Sequence, residues 1–129
     1  MGGRGSSTNK LQAKVTEREN DLLKALESVE KSVFDEGKGL SDGNIRDIYK
    51  TIRATSVFSD ELNKARTVEE VNKIPSGLTL KASQKYRTRY EGLIAHDMLN
   101  NRDKTKYRRL KKEADRFIDE LEKQYRAGK

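Results

Sequence analysis

Apolar positions in this chain recur at helical intervals, and the recurrence is broken at a few places. Leu11, Val15, Leu22, Leu26, Val29 and Val33 follow one another at steps of 4, 7, 4, 3 and 4. Such steps draw a heptad-like seam on a helix of roughly 26 residues starting near Asn9, with Leu23 and Phe34 widening the stripe. EGKG at 36–39 stops it, because Gly37 and Gly39 tolerate the left-handed geometry of a helix C-cap. Ser41 is a good N-cap for a second helix, whose Ile45, Ile48, Tyr49 and Ile52 lie at i, i+3, i+4 and i+7. SVFSD at 56–60 ends that helix, and Ser59 opens a shorter third one carrying Leu62 and Ala65. Thr67 and Glu70 have the spacing of a capping box, which can divide this segment into two short helices ending before Pro75.

IPSGLT at 74–79 is the clearest loop in the chain. A fourth long stripe, Tyr86, Tyr90, Leu93, Ile94 and Met98, predicts a helix from about Leu80 to Leu99. NNRD at 100–103 makes a turn, with Asn101 and Asp103 as capping candidates. The last helix carries Tyr107, Leu110, Ala114, Phe117 and Leu121, with Ile118 and Tyr125 beside them. A link of about four residues predicts that the last two helices form an antiparallel hairpin. No segment alternates as a strand would, and no internal repeat is visible. The fold class expected is all-α, a small bundle of about five helices ending in that hairpin. MGGRGSSTN, residues 1–9, has nothing apolar beyond Met1 and reads as a flexible tail. The expected organisation is one domain, with a helical lobe over 10–74, a loop over 75–80 and a hairpin over 81–129.

Composition narrows the function classes. The 129 residues are 33% hydrophobic and 38% charged, with no Cys and no Trp. A mean hydropathy of −0.99 permits thin helical layers, each needing one apolar stripe, but no thick core. Without Cys there are no disulfides, thiolate nucleophiles or Cys-based metal sites. No apolar run is long enough to span a membrane and no signal-peptide core is present, so the expectation is a soluble cytoplasmic chain.

Charge changes the picture more than composition does. Residues 1–80 hold 13 Lys/Arg and 13 Asp/Glu, whereas residues 81–129 hold 15 against 8, the entire net charge of +7. DKTKYRRLKK at 103–112 is the densest stretch. On a helical wheel the apolar residues of the last helix fill an arc of about 100°, and Lys104, Arg108, Lys112 and Arg116 step along the other side at i+4. Like charges at i+4 cost a few tenths of a kcal/mol per pair, so the pattern asks for an anionic partner or an internal neutraliser. The candidate binding residues are Arg87, Arg89, Arg102, Lys104, Lys106, Arg108, Arg109, Lys111, Lys112 and Arg116. Rows of this kind grip phosphate backbones without reading sequence. An acidic protein surface or plain solvation would also use them.

Other candidate chemistry is thinner. KYRTRY and KYRR interleave rings with arginines as single-strand binders do, but Tyr86, Tyr90, Tyr107 and Tyr125 fall on the apolar stripes, where a core margin accounts for them. NIRDIYKTIRATSVFSDELNKA fits a helix-turn-helix poorly, because its turn lacks Gly and its second helix is too neutral. His96 beside Asp97 looks like a base and its orienter, yet adjacent helical side chains point about 100° apart. No Gly-rich phosphate loop and no metal-ligand spacing appears. A non-enzymatic protein is expected, with no catalytic residue, metal or other cofactor.

The opening MGGRGSS resembles the first residues of small proteins encoded by phages and prophages of Gram-positive bacteria. That resemblance implies an accessory role, in virion assembly, DNA packaging or replication, or inhibition of a host defence protein, in the host cytoplasm or on the virion. The favoured expectation is a binding module that meets nucleic acid or a nucleoprotein through the basic C-terminal hairpin. The alternatives are an acidic protein partner, or an assembly adaptor and possible homo-oligomer working through the seam Leu11, Val15, Leu22, Leu26, Val29 and Val33.

Overall fold

A computed structural model describes residues 2–128, with side chains from residue 11 onward. Six α-helices occur among the described residues: α1 Gly2–Glu30, α2 Asp42–Val57, α3 Ser59–Lys64, α4 Val68–Lys73, α5 Gly77–Leu99 and α6 Thr105–Ala127. A π-helical turn, Lys31–Asp35, extends α1. No strand occurs among the described residues, and the protein is an all-α bundle. The tail expected over 1–9 falls on residues whose side chains lie outside the described ones, although α1 begins at Gly2.

The caps follow the local chemistry. Gly37 takes φ 70° just after the π turn and ends the first helix. Ser41 Oγ accepts Asn44 N–H at 3.1 Å and opens α2. Thr67 Oγ1 accepts Glu70 N–H at 3.1 Å, while Glu70 reaches back to accept Arg66 N–H at 3.4 Å. Ser59 does not cap α3: the N-cap is Phe58, whose buried ring fills the turn instead. Helix α5 starts at Gly77, inside the segment expected as loop. That first residue is packed tightly on α4, and a Cβ on Gly77 would stand 1.8 Å from Val71 O. At the end of α5, Asn101 Oδ1 accepts Asp103 N–H and Asp103 Oδ1 accepts Thr105 N–H, which starts α6.

Ion pairs reveal how the long helices align. Asp42 meets Arg109, Arg46 meets Glu113 and Arg53 meets Asp119. The partners advance together, so α2 and α6 run parallel. Glu19–Lys85, Glu30–Arg89 and the edge-on contact of Phe34 with His96 advance in the same way, so α1 and α5 are parallel too. Helix α2 runs antiparallel to α5: Leu40, just before α2, meets Asp97 near the end of α5, and Phe58 at the far end clusters with Leu80.

The layer order is therefore α1, α5, α2, α6, with α2 packed on both α5 and α6. The C-terminal hairpin is a wedge rather than a closed pair, because α2 stands between its arms. They meet at the root, where buried Tyr107 donates its hydroxyl hydrogen to buried Asp97. The packing does not separate a front lobe from a rear hairpin.

The main core joins Leu26, Ile45, Tyr90, Leu93 and Leu110 from all four long helices. A second cluster, around Phe58, Leu62, Leu80 and Ile118, closes the opposite end. Leu11 packs with Ala65 and Val71 under the short helices α3 and α4.

Candidate nucleic-acid interface

The basic block divides once the helices are placed. Four of the ten candidate cations hold carboxylates: Arg87 with Glu91, Arg89 with Glu30, Arg109 with Asp42 and Glu113, and Lys111 with Asp115. Arg89 faces α1, and α2 lies between α5 and α6, so the arginines of α5 do not extend a patch across the hairpin tip as expected. Lys106 is half-buried, with Nζ 5.4 Å from the Tyr107 ring centroid. Arg102, Lys104, Arg108, Lys112 and Arg116 are exposed, and no ion pair engages them among the described residues.

The division follows the wheel of α6. Tyr107, Leu110, Ala114 and Ile118 are buried. The flanks beside them carry Arg109, Glu113, Asp115 and Asp119, which are close enough to α2 to pair with it or to set its electrostatics. Arg108, Lys112 and Arg116 occupy the rib turned furthest from that interface, and Lys104 prolongs it past the helix start. At a rise of about 1.5 Å per residue, Lys104 to Arg116 spans about 18 Å, one cation every turn or so.

The start of α6 reinforces the positive potential. Helices α3 and α4 place acids in their first turns, Asp60 and Glu61, Glu69 and Glu70, and a lysine in their last. That arrangement opposes the helix dipole. The first turn of α6 has no acid and carries Lys106 and Arg108, with Lys104 just ahead. Asp103 is the nearest acid, and its Oδ1 is engaged by Thr105 N–H at 3.0 Å. The dipole's positive end and three cations thus sit together.

No protein-family model, curated protein or solved structure matches the chain.

The remaining candidates resolve from geometry alone. The α1 seam is spent inside the molecule: Leu11, Leu26 and Val33 are buried, and Val15, Leu22 and Val29 pack against the core clusters. The expectation of a self-association face there is corrected, because the stripe packs within the molecule, on the main core from Leu22 to Val33 and against Ala65 and Val71 at Leu11 and Val15. Tyr86, Tyr90 and Tyr107 are buried and offer no stacking surface. Burial pushes the Tyr90 phenol up to about 12, opposed by nearby Arg89. Burial and then the bond to Asp97 raise Tyr107 well above the usual tyrosine range.

His96 and Asp97 point apart. The His96 ring lies 4.7 Å from Phe34, while Asp97 Oδ1 accepts Leu40 N–H at 2.9 Å in the core. No cluster of metal-ligating side chains occurs among the described residues, and no helix is long and apolar enough to cross a membrane.

Periodicity missed Phe117. The stripe of α6 includes it, yet it is 53% exposed, with Lys50 Nζ 4.0 Å from its ring centroid. It sits at one margin of the apolar arc, where Tyr107, Ala114 and Ile118 fill the interface with α2 and leave its ring outside. A finer angular reading of the wheel is the one sequence signal that could have found it.

Proposed function

We propose that this protein is a non-enzymatic binding module that contacts nucleic acid through the outward rib of α6, Lys104, Arg108, Lys112 and Arg116, with Arg102 at its head. One observation carries the proposal: Arg109 and Lys111 on the flanks of α6 hold carboxylates, and no ion pair engages this rib among the described residues. Phosphate neutralisation needs such a row of accessible charges and no preformed pocket. Placement in the cytoplasm, and the phage accessory origin that MGGRGSS suggests, belong to the same proposal.

Salt titration of binding to a labelled duplex tests it. Four neutralised phosphates give a slope of log K against log salt near −3.6, about a 150-fold loss between roughly 50 and 200 mM. Combining Arg108→Glu and Lys112→Glu abolishes binding, while Lys14→Glu with Lys24→Glu, the same charge change on α1, reduces it far less. Equal affinity in both double variants would move the site off α6. Salt-insensitive binding, or capture of acidic protein alone, would overturn the proposal.

A further inference from the structure

We infer that the strand held on this rib is single, with an unpaired base stacked on Phe117. The inference rests on the nucleic-acid reading above and adds the class of substrate. Three exposed large apolar side chains occur among the described residues, and of these Phe34 leans on His96 and Leu99 ends α5. Phe117 lines the same surface depression as Arg116, the last cation of the rib.

The surroundings of the ring define what suits it. A shallow depression around it is lined by Glu113, Arg116, Glu120, Leu121 and Gln124. A partner helix would need apolar anchors at i, i+3, i+4 and i+7; here a lone ring stands among charged and amide groups, with Leu121 half-buried behind it. That is room for one flat apolar object bordered by polar edges, which describes a nucleobase. Lys50 Nζ stands over the ring, 4.0 Å from its centroid, so a stacking base takes the opposite face or displaces this cation, and Arg116 leads back to the rib.

The rim is mixed in charge, and the positive potential lies on the rib beside it. Glu113 is shared between Arg46 and Arg109, so its charge is already answered. Glu120 is the remaining acid of the rim, one turn beyond Arg116. In duplex DNA the bases are stacked on one another, and offering a base face to a side chain costs the unstacking of a base step and a kink. A single strand uses an exposed ring and a phosphate-spaced row of cations together without that cost.

Three probes at low salt separate the terms: an oligothymidylate, a duplex of equal length and inorganic polyphosphate, which has charge without bases. Phe117→Leu keeps an apolar residue at the margin and removes the stacking face. Expected is a loss of about 5-fold or more on the oligothymidylate, with duplex and polyphosphate unchanged. Because the chain has no Trp, Phe117→Trp installs a single reporter, whose fluorescence should be quenched by the oligothymidylate and not by polyphosphate. If Phe117→Leu unfolds the protein, this quenching decides alone.

Equal affinity of Phe117→Leu and parent on all three probes would overturn the stacking and leave the rib intact. An equal loss on all three would make the ring a support for the rib and also overturn it. Failure of the parent to bind any of the three would remove the nucleic-acid reading itself, and the inference with it.

Discussion

Reversing the charge of Arg108 should weaken polyanion binding and strengthen the fold. Arg108 is exposed, sits in the first turn of α6 and holds no carboxylate. Its i±4 neighbours are Lys104 and Lys112, so it takes part in two of the three like-charge contacts on the rib. Each such contact costs about 0.2–0.5 kcal/mol, and an opposite pair returns a similar amount. Arg108→Glu converts both, and it puts an acid at the positive end of the helix dipole. After solvent screening, a net gain of about 1 kcal/mol is expected. For a chain of this size that raises the melting midpoint by about 3–4 °C.

Thermal and urea melts at low salt read the gain directly, and repeating them in about 0.5 M salt should shrink it as the charges are screened. Polyanion affinity of the same variant falls. A stability loss, or a gain indifferent to salt, would mean that Arg108 is held by structure, and the argument from an uncompensated rib would fail.

Three further outcomes test the packing. Gly77→Ala should cost about 3 kcal/mol or more, because its Cβ meets Val71 backbone at 1.8 Å; Gly92→Ala, on the same helix with nothing within 4 Å, should gain about 0.5–1 kcal/mol. Comparable effects in urea titrations of the two would discredit the close approach of α4 and α5. Tyr107→Phe should cost about 1–3 kcal/mol, since buried Asp97 keeps the donor from Leu40 and loses the hydroxyl; a melt unchanged within about 0.5 kcal/mol would show that the bond contributes nothing net. Tyr90 and Tyr107 have folded values raised above the unfolded value of about 10, so their contribution is intact below pH 10 and is lost as pH climbs through the folded values. Stability should fall most steeply between about pH 10 and 12, with these phenols ionising last in an ultraviolet titration; early ionisation of all five tyrosines would contradict their burial.

The helices were legible in the sequence because local chemistry fixes them. Ser41, the Thr67–Glu70 box and Gly37 mark boundaries through contacts within a few residues, and the structure places a cap or turn at each. The start of α5 was not legible, nor was the packing of Gly77 on Val71 of a neighbouring helix. Which helices touch was also hidden. A short link between α5 and α6 invites pairing of neighbours, but stripes on α5 and α6 state only that each must be covered, not by what. Long-range pairs such as Arg46–Glu113 and Arg53–Asp119 carry that information, and the sequence does not announce them.

The same ambiguity blurred the site, and the packing resolves it. Had α6 lain along α5, Arg87 and Arg89 could have faced the same ligand as Arg108. With α2 inserted, α6 becomes the outermost helix, touching the bundle along one side only. Its inner flanks answer α2 with Arg109, Glu113 and Asp119. No other helix packs against its outer rib, and no ion pair engages those cations among the described residues, while the root is fixed by the buried Asp97 and Tyr107. A helix so anchored holds the backbone under its cations fixed, so a polyanion that settles on them orders the side chains alone, at about 0.5–1.5 kcal/mol each. Charge supplies the affinity through counterion release, and the fixed backbone keeps the ordering cost of each phosphate contact to one side chain.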